Sequence, residues 1–277
     1  MQGIITEINS NLYTVENGGK KYFCKARGVF RKRHIEPKVG DICLFSKEDL
    51  LITDILPRKN SLDRPKVSNI DKVFIITSLK SPDFSTNLLD KFLLISYVNE
   101  IKPVICYTKS DLLNDNEKRE IFDILSYYKE IGYKVIANTD LESISDEVKG
   151  CTVCFTGQTG AGKSTLLNKL DSNLKLKTDD ISKALGRGKH TTRLTSLYFV
   201  ANGYILDTPG FSDIDISKIK DEDIRASFIE FRKYPCIYKD CTHTNEDECK
   251  VKEAVKNKNI LESRYKDYLQ FIERRKK

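Results

Sequence analysis

One stretch of sequence decides the fold of this chain: Gly157-Gln158-Thr159-Gly160-Ala161-Gly162-Lys163-Ser164-Thr165. It fits the pattern GxxxxGK followed by Ser or Thr, comes after the strand-like CTVCFTG, and opens a segment of helical spacing. The glycines let backbone N–H groups converge on phosphate oxygens, and the positive end of the helix dipole adds to the attraction. We expect Lys163 to reach the β- and γ-phosphates of a nucleotide and Ser164 to bind Mg²⁺.

A second motif lies at the end of the strand-like segment GYILDT, where the sequence reads Asp207-Thr208-Pro209-Gly210. It fits the DxxG pattern of GTPases, in which Asp207 would reach Mg²⁺ through a water molecule and the amide of Gly210 would contact the γ-phosphate. Alone, a polar strand end of this kind is only suggestive. Downstream of a phosphate loop it predicts a GTPase.

The residues expected to select guanine lie before the phosphate loop. The pattern Asn or Thr, then KxD, occurs as Thr108-Lys109-Ser110-Asp111 directly after the strand-like KPVICY, and it does not occur after residue 210. Asp111 would accept hydrogen bonds from guanine N1–H and the N2 amine, which adenine lacks. The stem of Lys109 would cover the base. The dipeptide Asn138-Thr139, after the strand-like KVIA, is placed for a second base contact.

The order of these motifs is unusual, because an ordinary GTPase has its guanine motif last. Here the guanine motif precedes the phosphate loop, and the phosphate loop precedes DxxG. This order predicts a circular permutation, which a compact domain tolerates when its termini lie close together. The chain that leaves Gly210 then enters the C-terminal region directly, so we hypothesise that the nucleotide state moves that region.

The first switch segment is predicted within residues 186–193, which are glycine-containing, basic and rich in threonine. A threonine hydroxyl there would complete the Mg²⁺ shell, and Thr191 is favoured over Thr192. His190 would position water or contact phosphate, or it is an idle surface histidine. Phe211 follows DxxG where many GTPases carry a water-orienting glutamine nearby. A phenyl ring cannot orient water, so we expect slow intrinsic hydrolysis that a partner completes.

The rest of the chain predicts a multidomain protein. Residues 1–62 contain five short strand-like segments separated by turns, typical of a small OB-like β-barrel, with a basic loop at residues 27–34 that is expected to face nucleic acid. Residues 63–216 alternate strands and helices, which indicates an α/β domain with a parallel sheet. Residues 217–277 are mostly helical. The breaker-rich segment 57–65 is predicted to be a linker.

Four residues in the C-terminal region are spaced as metal ligands: Cys236, Cys241, His243 and Cys249. Three thiolates and an imidazole make a closed tetrahedral site, which is typical of structural zinc. The alternative is a set of free thiols near a surface histidine. Cys151 and Cys154 also have CxxC spacing, but residues three apart on a strand point to opposite faces, so we expect two small core residues rather than a redox or metal motif.

The composition and the distribution of charge indicate which classes of protein this chain fits. The chain has 277 residues, 39% of them hydrophobic and 31% charged, and a net charge of +7. Residues 1–62 hold 11 Lys and Arg against 7 Asp and Glu, and residues 217–277 hold 16 against 12, whereas the central region is nearly neutral. Basic ends around a neutral centre indicate either ordinary solubility or contacts with a polyanion. The sequence shows neither a secretion signal nor a membrane span, so the cytoplasm is expected. No interface signal stands out, so a monomer is the default expectation.

The assembled motifs resemble the RsgA (YjeQ) family of ribosome-dependent GTPases: TKSD, then GQTGAGKST, then DTPG, with C-x4-C-x-H-x5-C near the end. The resemblance covers essentially the whole chain. It implies an OB barrel, a permuted GTPase domain and a zinc domain, GTP hydrolysis stimulated by the 30S subunit, contacts with 16S rRNA, and a role in late small-subunit maturation. The family's guanine motif usually begins with Asn, and Thr108 stands there instead.

Two other classes of function remain open from the sequence. One is a GTP-regulated RNA-binding module in which hydrolysis is incidental. The other is an enzyme that uses the same phosphate loop on a small substrate, such as a kinase. The pairing of DTPG with TKSD argues against a kinase, because a kinase needs no guanine-selecting motif.

Overall fold

The computed structural model describes residues 1–28, 30, 35–63, 66–172, 196–207 and 215–275. The chain begins with a five-stranded barrel in which β1 pairs with both β2 and β4, so the sheet closes on itself. Its strands are β1 (Gln2–Asn9), β2 (Leu12–Asn17), β3 (Lys20–Ala26), β4 (Ile42–Ser46) and β5 (Leu51–Ile55). Their inward side chains, including Ile5, Val15, Cys24 and Phe45, fill a separate core. The predicted barrel is confirmed.

The segment that follows the barrel differs from the predicted linker over residues 57–65. It contains the strand β6 (Ser61–Asp63), which pairs with β7 (Lys66–Ser68). The fully buried Asp41 ties this hairpin to the barrel, because its carboxylate accepts hydrogen bonds from Arg58 Nε at 2.7 Å and Ser68 Oγ at 2.6 Å. A buried carboxylate must be paired, and these partners come from the segment itself.

The second sheet has the strand order β10-β9-β8-β11-β13-β12 and is parallel except for β12. Its strands are β8 (Lys72–Ser78), β9 (Lys102–Thr108), β10 (Lys134–Ala137), β11 (Thr152–Gly157), β12 (Ser196–Val200) and β13 (Gly203–Asp207). The strand β12 also pairs with β1 at a single position, Ser196 opposite Glu7, so barrel and parallel sheet are continuous. The strands alternate with helices along the chain, as predicted.

Among the described residues, four helices accompany the parallel strands: α1 (Thr86–Val98), α2 (Asp115–Glu130), α3 (Leu141–Val148) and α4 (Lys163–Leu170). The helix α2 begins with a capping box, in which Asn114 accepts from the Glu117 N–H and Glu117 accepts from the Asn114 N–H. The short helix α3 has no counterpart in the sequence prediction. Its Ile144 and Val148 are buried against the sheet.

The C-terminal region is helical, with α5 (Asp221–Ser227), α6 (Lys250–Lys256) and α7 (Glu262–Arg275). Helices α5 and α7 pack on α1, so this region lies against the α/β domain. At their contact Arg264 of α7 is fully buried and pairs with Asp90 of α1 at 2.6 Å and with Glu230 at 2.7 Å. Within the described ranges, no helix is both long enough and apolar enough to cross a membrane.

Candidate nucleotide and metal sites

The phosphate loop joins the end of β11 to the start of α4, as the sequence predicts. Gly157, Gly160 and Gly162 all have positive φ angles, of 144°, 80° and 94°. At Gly157 a Cβ atom would lie 2.1 Å from the backbone oxygen of Ile76, so no other residue fits there. The loop is therefore shaped by close approach to the neighbouring strand β8.

Side chains at the start of α4 point back into this loop. Lys163 Nζ donates to the carbonyl oxygens of Gly157 at 2.8 Å and Gln158 at 2.9 Å, and Ser164 is buried. Thr159 and Thr165 are exposed, whereas Ala161 is fully buried. The ammonium group of Lys163 is thus held beside the backbone that would cradle phosphates.

The TKSD segment contacts the phosphate loop directly, although it comes from a distant part of the chain. Thr108, at the end of β9, is buried, and its Oγ1 donates to the carbonyl of Ala161 at 2.8 Å. Lys109 has a left-handed backbone, and its Nζ donates to the carbonyl of Gly160 at 2.8 Å and to that of Ser81. Ser110 and Asp111 begin a short 3-10 turn, in which Asp111 is exposed.

The structure describes only some of the remaining predicted site residues. Asn138 follows β10, and its N–H donates to the carbonyl of Tyr107 at 2.9 Å, so it lies beside the end of β9, next to an exposed Thr139. Asp207 ends β13, and its Cα pairs with that of Phe155 on β11. His190, Thr191, Thr192, Gly210 and Phe211 lie outside the described residues.

One loop at this site was missed by sequence reasoning. Ser81 accepts a hydrogen bond from Lys109, and Pro82 Cδ lies 3.6 Å from the position of a Cβ at Gly160. The loop after β8 therefore lies against the phosphate loop. The sequence feature that could have indicated this loop is its position after a buried strand. Parallel strands bring the loops at their carboxyl ends to one edge of the sheet.

The predicted zinc ligands converge in the C-terminal region. Cys236, Cys241 and Cys249 place their Sγ atoms 3.6, 3.4 and 3.3 Å from His243 Nδ1, and Cys236 Sγ lies 3.8 Å from Cys249 Sγ. All four ligand atoms lie within 4.8 Å of one another. In a tetrahedral site with Zn–S near 2.3 Å and Zn–N near 2.0 Å, ligand atoms are about 3.5–3.8 Å apart. The donor set and its spacing therefore fit zinc.

Comparison with known proteins decides the family. A family model described as RsgA GTPase matches residues 55–217, and one described as RsgA N-terminal domain matches residues 2–50. The chain is 46% identical to "Small ribosomal subunit biogenesis GTPase RsgA 2" of Listeria monocytogenes, over 99% of this chain and 97% of that protein. The chain belongs to the RsgA GTPase family.

Solved structures of similar proteins agree with the RsgA fold. The crystal structure of YjeQ from Thermotoga maritima matches with a TM-score of 0.86 and 34% identity, over 98% of this chain and 97% of that one. A structure described as YloQ, a circularly permuted GTPase, matches with a TM-score of 0.83 and 32% identity, over 99% and 94%. The predicted circular permutation is therefore confirmed.

The cluster of three cysteines and His243 is supported by hydrogen bonds from nearby backbone. The N–H of Lys250 donates to Cys236 Sγ at 3.3 Å, and the N–H of Lys252 donates to Cys249 Sγ at 3.5 Å at the start of α6. Tyr265 of α7 donates to the His243 carbonyl at 2.7 Å. N–H groups directed at sulfur favour thiolates, and the tyrosine joins the cluster to the last helix.

Proposed function

We propose that this RsgA-family chain binds the small ribosomal subunit, hydrolyses GTP faster when bound to it, and acts late in the maturation of that subunit. The observation that supports this most strongly is the contact of Thr108 and Lys109 with Ala161 and Gly160. This contact between the TKSD segment and the phosphate loop supports a single site for a guanine base and its phosphates. A site of this composition needs both a guanine base and a triphosphate.

The expected roles follow from position. The N–H groups of residues 157–165 and the ammonium group of Lys163 would bind phosphates, and Ser164 would hold Mg²⁺. The metal, when bound, would neutralise charge on the phosphates. The carboxylate of Asp111 would accept hydrogen bonds from guanine, and Asn138 with Thr139 would make a second base contact. Asp207 would reach Mg²⁺ through a water molecule, the amide of Gly210 would contact the γ-phosphate, and Thr191 with His190 would act in the first switch.

Slow hydrolysis by the isolated protein is part of the proposal. No water-orienting glutamine follows DTPG, since position 211 is Phe. A group or a geometry supplied by the ribosomal subunit would then complete the site. The basic terminal regions would contact 16S rRNA, and binding should weaken as salt rises because phosphate contacts release counterions. We further propose a cytoplasmic monomer with units at 1–62, 63–216 and 217–277.

Measurement of GTP and ATP turnover, each with and without 30S subunits, tests this function. We expect GTP turnover to rise at least about tenfold with subunits and ATP turnover to stay at background. Equal turnover of the two nucleotides would reject guanine selection. Activity that is unchanged by subunits would favour the GTP-regulated RNA-binding module, in which hydrolysis is incidental.

The Asp111→Asn variant provides the sharper control. Losing two hydrogen bonds to a charged acceptor costs about 3 kcal/mol or more, which is at least about a hundredfold in GTP affinity. Xanthosine triphosphate carries a carbonyl where guanine carries the N2 amine, so the asparagine amide can donate to it. The variant should therefore gain affinity for xanthosine triphosphate, as measured by calorimetry.

A further inference from the structure

The strand that ends in the DxxG motif is joined to the barrel through its hairpin partner. In the hairpin of β12 and β13, the Cα of Ser196 lies opposite that of Asp207. On its other side, Ser196 lies opposite Glu7 of the barrel strand β1. One row of the sheet therefore runs from Glu7 through Ser196 to Asp207, and a displacement of β1 would be passed along it.

A side chain makes a second contact between the barrel and the same hairpin. Tyr204 of β13 donates from Oη to Glu16 Oε1 on β2 at 3.0 Å. The Tyr204 ring also packs edge-on against Phe199 of β12, with the ring centres 5.3 Å apart. Burial, and secondly the hydrogen bond to Glu16, raise the pKa of Tyr204 to about 12. The phenol therefore remains a hydrogen-bond donor at neutral pH.

The two contacts together fix the direction in which β1 meets the hairpin. On β13, Tyr204 comes three residues before Asp207. On the barrel, Glu16 lies opposite Ile4, which comes three residues before Glu7. Three residues of strand span about 10 Å. A single paired position would let the strands pivot, whereas a second contact about 10 Å away prevents the pivot.

An open cleft separates the barrel from the α/β domain beside the second contact. It has a volume of about 520 Å³, and its lining includes Gly3 of the barrel, Thr152 and Asn202 of the α/β domain, and both Tyr204 and Glu16. Close packing cannot fix the barrel across an open cleft. The hydrogen bond between Tyr204 and Glu16 therefore has a large share in holding the barrel here.

We propose that Tyr204 and Glu16 are positioning residues for GTP hydrolysis, through which the barrel holds Asp207 in place. Neither side chain would touch the nucleotide, because both act through the row of paired backbone that ends at Asp207. Small displacements of a group in the reacting geometry cost much of the rate. The inference rests on the proposed function, since the expected role of Asp207 belongs to it.

The test compares variants of the full chain with GTP, Mg²⁺ and saturating small ribosomal subunits. Tyr204→Phe removes only the hydroxyl, and we expect kcat to fall at least about fivefold. Half-maximal rate should require more Mg²⁺. Affinity for GDP without Mg²⁺ should stay within about twofold, because the guanine motif and the phosphate loop follow other strands. This split distinguishes positioning from a general loss of structure.

A rescue variant and a double variant test whether the hydrogen bond itself is responsible. Glu16→Gln retains an oxygen that accepts the bond, so kcat should stay within about twofold of the parent value. Glu16→Ala should match Tyr204→Phe. The double variant Tyr204→Phe/Glu16→Ala should lose no more than either single variant, because both changes remove the same bond.

Hydrogen exchange without nucleotide tests the physical link separately from catalysis. Exchange over β1 and β12 should rise in Tyr204→Phe, because one of the two contacts is lost. Tyr97→Phe is the matched control, since the Tyr97 hydroxyl on α1 accepts from Arg232 Nη2 at 3.3 Å. This control should change neither kcat nor exchange in these strands.

Three results would each overturn the inference: unaltered kcat in Tyr204→Phe, an equal loss in Tyr97→Phe, or additive losses in the double variant. GTP turnover of the parent protein distinguishes this failure from that of the proposed function. Stimulation of the parent by subunits, together with unaltered kcat in Tyr204→Phe, rejects the inference alone. Absence of stimulation in the parent rejects the proposed function and the inference with it.

Discussion

Single side chains hold the backbone of the nucleotide site in place. The hydroxyl of Thr108 donates to the carbonyl of Ala161 in the phosphate loop, and Lys109 Nζ donates to the carbonyl of the preceding residue, Gly160. The motifs themselves could be predicted from residue type and spacing. Their contact could not, because it depends on β8 lying between β9 and β11 in the sheet. For the same reason the role of Ser81 was not predictable from its local sequence.

Replacement of Thr108 by Val tests the contribution of that hydroxyl. The side chain keeps its shape, but the buried carbonyl of Ala161 loses its donor, which costs about 1–3 kcal/mol. We expect a lower melting temperature and weaker GTP binding. Thr108→Ser retains the hydroxyl and should bind GTP within a fewfold of the parent protein. Equal binding by the Val variant would show that the hydrogen bond is dispensable.

Replacement of Gly157 by Ala tests the shape of the phosphate loop. A methyl group would collide with the backbone of Ile76, and the positive φ adds strain. We expect GTP binding to fall by at least about tenfold, at a cost above about 1.4 kcal/mol. Gly28→Ala is the control, since a Cβ there meets nothing within 4 Å. Calorimetric titration with GTP would compare the two variants, and similar losses in both would contradict the steric account.

Among the elements, those with a regular apolar pattern were predicted well and those with a weak pattern were not. The barrel strands and the parallel strands follow from alternating or continuous apolar residues. The helix α3 was missed because its eight residues carry few apolar side chains, although Asp140 caps it and Ile144 and Val148 share a face. The hairpin β6–β7 was missed because its stability comes from Asp41, far away in the sequence.

The C-terminal cluster of three cysteines and His243, which we expect to bind zinc, is the element for which removal of a ligand gives a clear outcome. Cys249→Ser should lower the bound zinc well below one per chain and raise hydrogen exchange over residues 215–275, because metal binding and folding of such a module are coupled. Cys151 is half-buried and lies outside the cluster, so Cys151→Ser should retain full zinc. Zinc content by mass spectrometry checks both. Retention of stoichiometric zinc by Cys249→Ser would argue against a four-ligand site.

At the scale of the whole molecule, the α/β domain and the C-terminal region are joined through a buried cation. Arg264 pairs with Asp90 and Glu230, and its guanidinium carbon lies 4.4 Å from the centre of the Phe228 ring. Burial raises the pKa of Asp90 to about 7, against the opposing effects of Arg264 and Tyr128. Asn87 adds a hydrogen bond to Asp267 at 2.6 Å. The two regions are therefore expected to unfold together.

Arg264→Met removes the cation and leaves two buried carboxylates facing each other. We expect a loss of about 3–5 kcal/mol in the free energy of unfolding, measured by chemical denaturation. Arg274→Met, on the exposed side of α7, should change little. Lowering the pH from about 8 to about 6 should recover part of the loss in Arg264→Met, because a carboxyl whose pKa is raised by folding binds more protons in the folded state. A pH-independent loss would contradict this.

The ion pair between Asp90 and Arg264 also bears on what an incompletely synthesised chain would lack. Asp90 and Arg264 are separated by 174 residues, so a nascent chain completes its phosphate loop long before the guanidinium emerges. A product that ends before α5 would carry every predicted nucleotide-binding motif but would lack α5 and α7, which pack on the helix that bears Asp90. Such a fragment should be less stable than the complete protein and more open to proteolysis.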